Sequence, residues 1–186
     1  MMSKKNCILE TTLELIQEHG FHGTSVNMIA CKAGAATGTI YHYYSSKDEL
    51  ITALFRYVNE QLLSAIDLGK EESAPFKERF FLFWRSQYRF YIERPEVLKF
   101  NEQYMSSPYY TEAEMEMHMN MYTGVTAFFD QAISKREIRN MHKEILSPVI
   151  HGSIVACANL HINRNHRFSG EDLDKVMEIV WAGIKV

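Results

Sequence analysis

Only four prolines and nine glycines interrupt the 186 residues, and they stand between stretches in which apolar side chains recur every three or four positions. Proline breaks a helix interior and glycine weakens it, so breakers confined to junctions leave long segments free to coil. No series of short alternating segments argues for strands. The chain reads as all-α.

The first expected helix covers about Lys4 to Glu18, with Ile8, Leu9, Thr12, Leu13, Leu15 and Ile16 on its apolar face and Gly20 as its stop. Thr24 or Ser25 caps a second helix through Val26, Ile29, Ala30 and Ala33, which ends at Gly34. A short third helix starts near Ala36 or Thr37 and reaches Tyr44. Ser46 and Glu49 have the spacing of a capping box ahead of a long fourth helix to about Leu68. Two helices across a tight glycine-containing turn, the second of them short, have the form of a helix-turn-helix.

After the stretch 69–73 the composition turns aromatic. Helices are expected from Pro75 to just before Pro95, from Pro95 to about Tyr104, and from a Thr111 cap to about Ile133. Two more run from an Asn140 cap to about Asn163, and from Ser169 with Asp172 to about Lys185. The expected division is a reading head over residues 1–46 and a body over 47–186.

Several function classes drop out. Net charge is −3, so a nucleic acid must be held by a local surface rather than a global field. Cys7, Cys31 and Cys157 are odd in number and far apart, which fits a reducing cytoplasm. Glu10, Glu14 and Glu18 interrupt the N-terminal segment, which argues against a signal peptide. The uncharged run from Ile145 to Asn163 has the length of a membrane span, but Pro148, His151, Ser153, Asn159 and His161 mark it as a buried helix, and no membrane partner is expected. No HExxH, zinc-spaced Cys/His group, GxSxG or phosphate loop occurs, and the methionines of the stretch 115–121 fall on different helix faces. No catalytic residue, cofactor or metal site is expected.

The stretch GAATGTIYHYYSSK, Gly34 to Lys47, is unlike either a buried or a solvated helix. On a helix Ala36, Ile40 and Tyr44 share one face, which leaves Thr37, Gly38, Tyr41 and His42 pointing away and Tyr43 at the flank. Small or flat residues with hydrogen-bonding tips suit the major groove, and Gly38 permits close approach. Ser25 and Lys47 are placed to hold phosphates.

The stretch HGFHGTSVNMIACKAGAATGTIYHYYSSKDELI resembles the DNA-binding module of TetR-type transcriptional regulators. Gly20-Phe21, Thr24-Ser25, Ile29-Ala30, Ala33-Gly34, Gly38-Thr39-Ile40-Tyr41, Tyr43-Tyr44 and Ser46-Lys47 with Leu50 each have a counterpart in the family pattern. The resemblance implies base or groove contacts for Thr37, Gly38, Tyr41, His42 and Tyr43, a base contact within reach of Asn27, and phosphate contacts for Ser25 and Lys47. Two positions depart from the pattern. Ala35-Ala36 replaces the usual Val-Ser, which leaves Thr37 to cap the short helix. Tyr44 replaces Phe, so its hydroxyl needs a partner.

For the body the resemblance implies effector binding and homodimerisation. Its aromatic and methionine content suits a small, largely hydrophobic or aromatic effector, with Trp84, Tyr88, Tyr104, Tyr122 and His151 as candidate contacts, although a plain helical core explains the same residues. Ile154, Cys157, His161, Val176, Val180 and Trp181 are the candidate dimer interface. The favoured function is a cytoplasmic repressor released from a palindromic double-stranded operator. The alternative is a helical-bundle carrier or enzyme whose first module is structural.

Charge makes this quantitative. Through Arg56 the cations Lys4, Lys5, Lys32, Lys47 and Arg56 balance the anions Glu10, Glu14, Glu18, Asp48 and Glu49. If about two or three cations per subunit meet phosphate, a plot of log affinity against log salt for a dimer has a slope of about −4 to −5. Operator titrations across salt concentrations check this, and a slope near about −10 contradicts it.

Overall fold

A computed structural model describes residues 3–69, 73–164 and 166–186. Lys70, Glu71 and Glu72, where the composition shift falls, lie outside the described residues. Those described form ten helices: α1 (Lys4–Gly23), α2 (Val26–Lys32), α3 (Thr37–Tyr43), α4 (Lys47–Ala65), α5 (Phe76–Glu93), α6 (Pro95–Met105), α7 (Glu112–Met121), α8 (Thr123–Ser134), α9 (Lys143–Arg164) and α10 (Gly170–Ile184). The all-α expectation holds. By its contacts the chain divides into two compact units.

The first unit joins the stretch ending at Gln61 to Glu96–His118. α1 packs on α2 and α2 on α3, and Ile8, Leu13, Ile16, Ile29, Ile40, Leu50 and Leu54 lie buried there. α1 turns sharply at Gly20, whose φ of +70° favours glycine. Residues 96–118 belong to this unit through specific contacts. Phe55 stacks on Tyr104 with ring centroids 4.1 Å apart, and the Phe21 ring meets Phe100 and Tyr109. Asn59 and Asn101 form a buried amide pair, each Nδ2 donating to the other's Oδ1 at 3.3 and 3.4 Å. A polar pair in an apolar setting is satisfied in one register only, so it aligns α6 on α4.

The second unit comprises Leu62–Pro95 and Met119–Val186. α5 packs on α9, and α10 on both. Its core holds Phe80, Trp84, Ile154, Ala158 and Met177. The Ser169–Asp172 capping box forms as expected, with bonds in both directions at 3.0 and 3.1 Å. α9 is long and apolar enough to cross a membrane, and the expectation of a buried helix is met only in part, since 28% of its most apolar window is buried within the chain.

Several expected boundaries move: α1 runs past Glu18 to Gly23 across its turn, and α4 ends at Ala65 rather than near Leu68. The helix read from Thr111 to Ile133 is two, broken at Tyr122 (φ −90°, ψ 15°), where the Thr123 hydroxyl takes the Asn120 carbonyl. Thr-Gly at 123–124 is a weak helix former, and a local side-chain bond competes with the backbone ladder. Thr111 itself does cap α7, its hydroxyl oxygen accepting the Glu114 amide hydrogen at 3.3 Å. Asn140 does not cap α9, because Ile138 bridges to Lys185 and the Arg139 amide donates to the Ile184 carbonyl at 2.8 Å. That extended tie delays the helix until Lys143.

Tyr44 is 3% exposed, and its hydroxyl finds no partner. Burial, then the nearby Glu49 charge, push its pKa up to about 12. A buried hydroxyl without a bond costs about 1–3 kcal/mol, so Tyr44→Phe is expected to raise stability by about 1 kcal/mol and Tm by roughly 2–4 °C. Thermal denaturation monitored by circular dichroism checks this, and a lowered Tm contradicts it.

Candidate nucleic-acid interface

Three short-range devices build the presenting surface. The Thr24 hydroxyl donates to the Gly20 carbonyl at 2.9 Å, closing the link after the turn in α1. Ser25 caps α2, its oxygen accepting the Met28 amide hydrogen at 3.2 Å. Gly34, at φ +56°, then turns the chain toward α3.

α3 starts without a side-chain cap, since the N-cap is Ala36. Thr37 does not take over that role. Its hydroxyl lies 3.3 Å from Asn27 Oδ1, so it ties α3 back to α2 instead. Of the helix's seven residues Ile40 is buried, and Tyr44 follows it into the core. The opposite side carries Gly38, Tyr41, His42 and Tyr43, all exposed, with Tyr41 at 52% and Tyr43 at 39%. The His42 and Tyr43 rings meet edge to face at 5.5 Å, which steadies both. Around Gly38 there is open space where a side chain would stand.

The cations near this face are partly committed. Lys47 donates to the Phe21 carbonyl at 2.6 Å, and Lys4 to the Gly34 carbonyl at 2.8 Å. Each ammonium is thereby fixed at a chain turn; Lys47 keeps two further N–H groups to offer, and Lys4, which also donates to the Ala33 carbonyl at 3.4 Å, keeps one. Lys32 is paired with Glu18 and Glu14 at 3.2 and 3.4 Å, and the bond to Glu18 leads in raising its pKa. At the start of α4 the expected box is displaced by one residue. Ser46 Oγ accepts the Glu49 amide hydrogen, whereas the Glu49 carboxylate accepts both the amide and the hydroxyl of Ser45 at 2.6 Å. The Ser45 hydroxyl, then its amide, hold the Glu49 carboxyl below the usual range.

The candidate effector contacts do not form one group. Tyr104 belongs to the first unit, stacked on Phe55 with its hydroxyl near the Tyr109 carbonyl at 3.3 Å and Thr52 at 3.4 Å. In the second unit Trp84 and Tyr88 stack at 5.7 Å. Trp84 Nε1 donates to Ser153 Oγ at 2.9 Å, and the Tyr88 hydroxyl meets His161 Nδ1 at 2.8 Å. His151 packs against the Tyr91 ring, and half-buried Tyr122 stands at the α7–α8 break.

Of the candidate interface residues, Ile154, Cys157 and Val180 are buried inside the second unit, and His161 bonds Tyr88. Val176 and Trp181 are half-buried, the Trp181 ring lying against Phe76 and Phe80. On α9 and α10 the large apolar residues left in the open are others: Ile145 (54%) and Val149 (50%), with Gly152 and Ala156 open beside them on α9, and Ile179 (73%) on α10. Their spacing of four, three and four along α9 was available in the sequence as a second stripe.

The family description "Bacterial regulatory proteins, tetR family" matches residues 8–54, and "Tetracyclin repressor-like, C-terminal domain" matches residues 75–185. An uncharacterized HTH-type transcriptional regulator of Haemophilus influenzae is 31% identical over 101 residues, 54% of each chain, so the match spans about half of that relative. A putative TetR-family regulator from Vibrio parahaemolyticus superposes with a TM-score of 0.86 at 28% identity, covering 99% of this chain and 100% of that one. The transcriptional regulator FadR of Bacillus subtilis, solved in complex with stearoyl-CoA, shares the fold at a TM-score of 0.69 and 20% identity, covering 96% and 98%. With both halves matched in order, the chain belongs to the tetR family of DNA-binding transcriptional regulators, and not to a family of enzymes.

Proposed function

We propose that this regulator is a homodimeric repressor that holds a palindromic operator and releases it when a small, largely hydrophobic or aromatic effector binds the helical body. The observation that carries the reading is the outward row on α3, where two exposed tyrosines and a histidine stand beside the open Gly38. Hydroxyls, flat rings and a site of close approach suit base edges and the thymine methyl. On this reading Thr37, Gly38, Tyr41, His42 and Tyr43 meet the groove, and Asn27 reaches it from α2. Ser25 keeps its hydroxyl hydrogen for a phosphate, and Lys47 offers the N–H groups that Phe21 leaves. Residues 1–46 do the reading in the cytoplasm, while 47–186 hold the effector and the second copy.

The hydrophobic effector class is supported by the aromatic content of the body and by the FadR fold, solved with stearoyl-CoA. Trp84, Tyr88, Tyr122 and His151, all in the second unit, are the proposed contacts, and Tyr104, which belongs to the first unit, is not proposed with them. An effector can shift the protein only by its difference in affinity for the DNA-holding and releasing forms. The second copy is supported by the bare apolar stripe on α9 and α10. Gly152 and Ala156 let a partner helix come close beside Ile145, Val149 and Ile179. His161, Val176 and Trp181 are the members of the expected interface with surface left to reach it, and Ile154, Cys157 and Val180 support it from behind.

Tyr41→Ala removes an exposed side chain, so it is expected to leave Tm unchanged while weakening operator binding by about tenfold or more. Fluorescence anisotropy with the operator measures it, and unchanged affinity contradicts the assignment. Val149→Glu places a charge in the apolar stripe. Light scattering is expected to give a dimer mass for the parent chain and a monomer mass for the variant, and equal masses would place the interface elsewhere.

A further inference from the structure

Among the described residues Arg79 is the only charged side chain that is buried, at 8% exposure. It sits in the first turns of α5, in the second unit. Its Nε donates to the Leu68 carbonyl at 3.0 Å, and its guanidinium lies over the Phe128 ring, 4.9 Å from the centroid. Gly69 lies against its stem so closely that an added Cβ would meet Arg79 Cγ at 2.9 Å. Packing therefore holds the side chain in one place.

Among the described residues it has no counterion. Lys77 and Arg85, on the same helix, are both paired with carboxylates of α10, Glu178 and Asp174. Those two cations are exposed and need a partner least. Arg79 is desolvated, and no carboxylate among the described residues lies within ion-pair distance of it. Glu137, the acidic side chain bonded at the start of α5, is committed to the Phe76 amide. A guanidinium has five N–H donors in a planar fork, and one carbonyl uses one of them. Holding a buried charge without its opposite is costly, and a site that does so is suited to receive an anion.

The surroundings say what else the anion carries. Phe76, Phe83 and Phe128 form a continuous ring wall, with Phe76 and Phe128 4.7 Å apart, and Phe80 and Trp181 extend it. A charged fork at one end of an aromatic wall fits a molecule with an oxyanion head and an apolar body. We propose that Arg79 is the anchor for the anionic head of the effector, so that the effector is an anionic amphiphile rather than a neutral hydrophobe. This rests on the reading above that the body binds a hydrophobic effector.

Calorimetric titrations with three probes of one chain length test it: dodecanol, dodecanoate and dodecyl phosphate. The parent protein is expected to bind dodecanoate or dodecyl phosphate about tenfold or more tighter than dodecanol, and which of the two leads tells a carboxylate from a phosphate head. Arg79→Met is expected to bring the anions down to the affinity of dodecanol, with dodecanol itself changed by no more than about twofold. Arg79→Gln keeps a donor toward the Leu68 carbonyl, removes the charge, and serves the same comparison should Arg79→Met not fold. Equal binding of all three probes by the parent overturns the Arg79 assignment and leaves the hydrophobic-effector reading intact. So does an anion preference that survives in either folded variant. No binding of any probe overturns both.

Discussion

A helix of seven residues has no stability of its own, because nucleation in water is unfavourable at that length. α3 exists because Ile40 and Tyr44 are buried, one at its middle and one just past its end. Everything proposed for DNA reading depends on that pair. With those two side chains inward, helical geometry sends Gly38, Tyr41 and His42 outward and leaves no alternative register. The Thr37–Asn27 contact and the Gly34 turn then fix the angle at which the row is presented. The orphaned hydroxyl of Tyr44 shows that this anchoring is bulk burial, not a polar network.

The electrostatics follow from the same economy of parts. Lys47 and Lys4 are used first to close chain turns, on the Phe21 and Gly34 carbonyls, and Lys32 is neutralised by two glutamates. The ammonium groups that remain are few but positioned. A head of this kind gains less from a counterion atmosphere and more from directed hydroxyl and amide bonds. On the proposed reading its specificity resides in the shape of the α3 face.

Much of this was legible in the sequence, for physical reasons. Helix punctuation by glycine and by hydroxyl caps is local, so Gly20, Ser25, Gly34, Thr111 and the Ser169–Asp172 pair all act where their spacing puts them. Periodicity separated the buried from the exposed side of α3. Long-range ties were not legible. The Ile138–Lys185 bridge delays α9, and the Asn59–Asn101 and Phe55–Tyr104 contacts draw residues 96–118, Tyr104 among them, into the first unit. On α9 two apolar stripes compete, and periodicity alone does not say which one the chain buries. The one through Ile150, Ile154 and Cys157 faces inward, leaving Ile145, Val149, Gly152 and Ala156 exposed. A buried arginine with no carboxylate partner among the described residues leaves no trace in spacing at all.

The central claim is that the outward face of α3 reads a specific DNA sequence as one half of a symmetric pair. Selection of genomic fragments by the purified protein, followed by sequencing, tests it most directly. The account predicts enrichment of an inverted repeat whose half-sites lie about one helical turn, or a multiple of it, apart. Recovery of fragments with no shared sequence would contradict it.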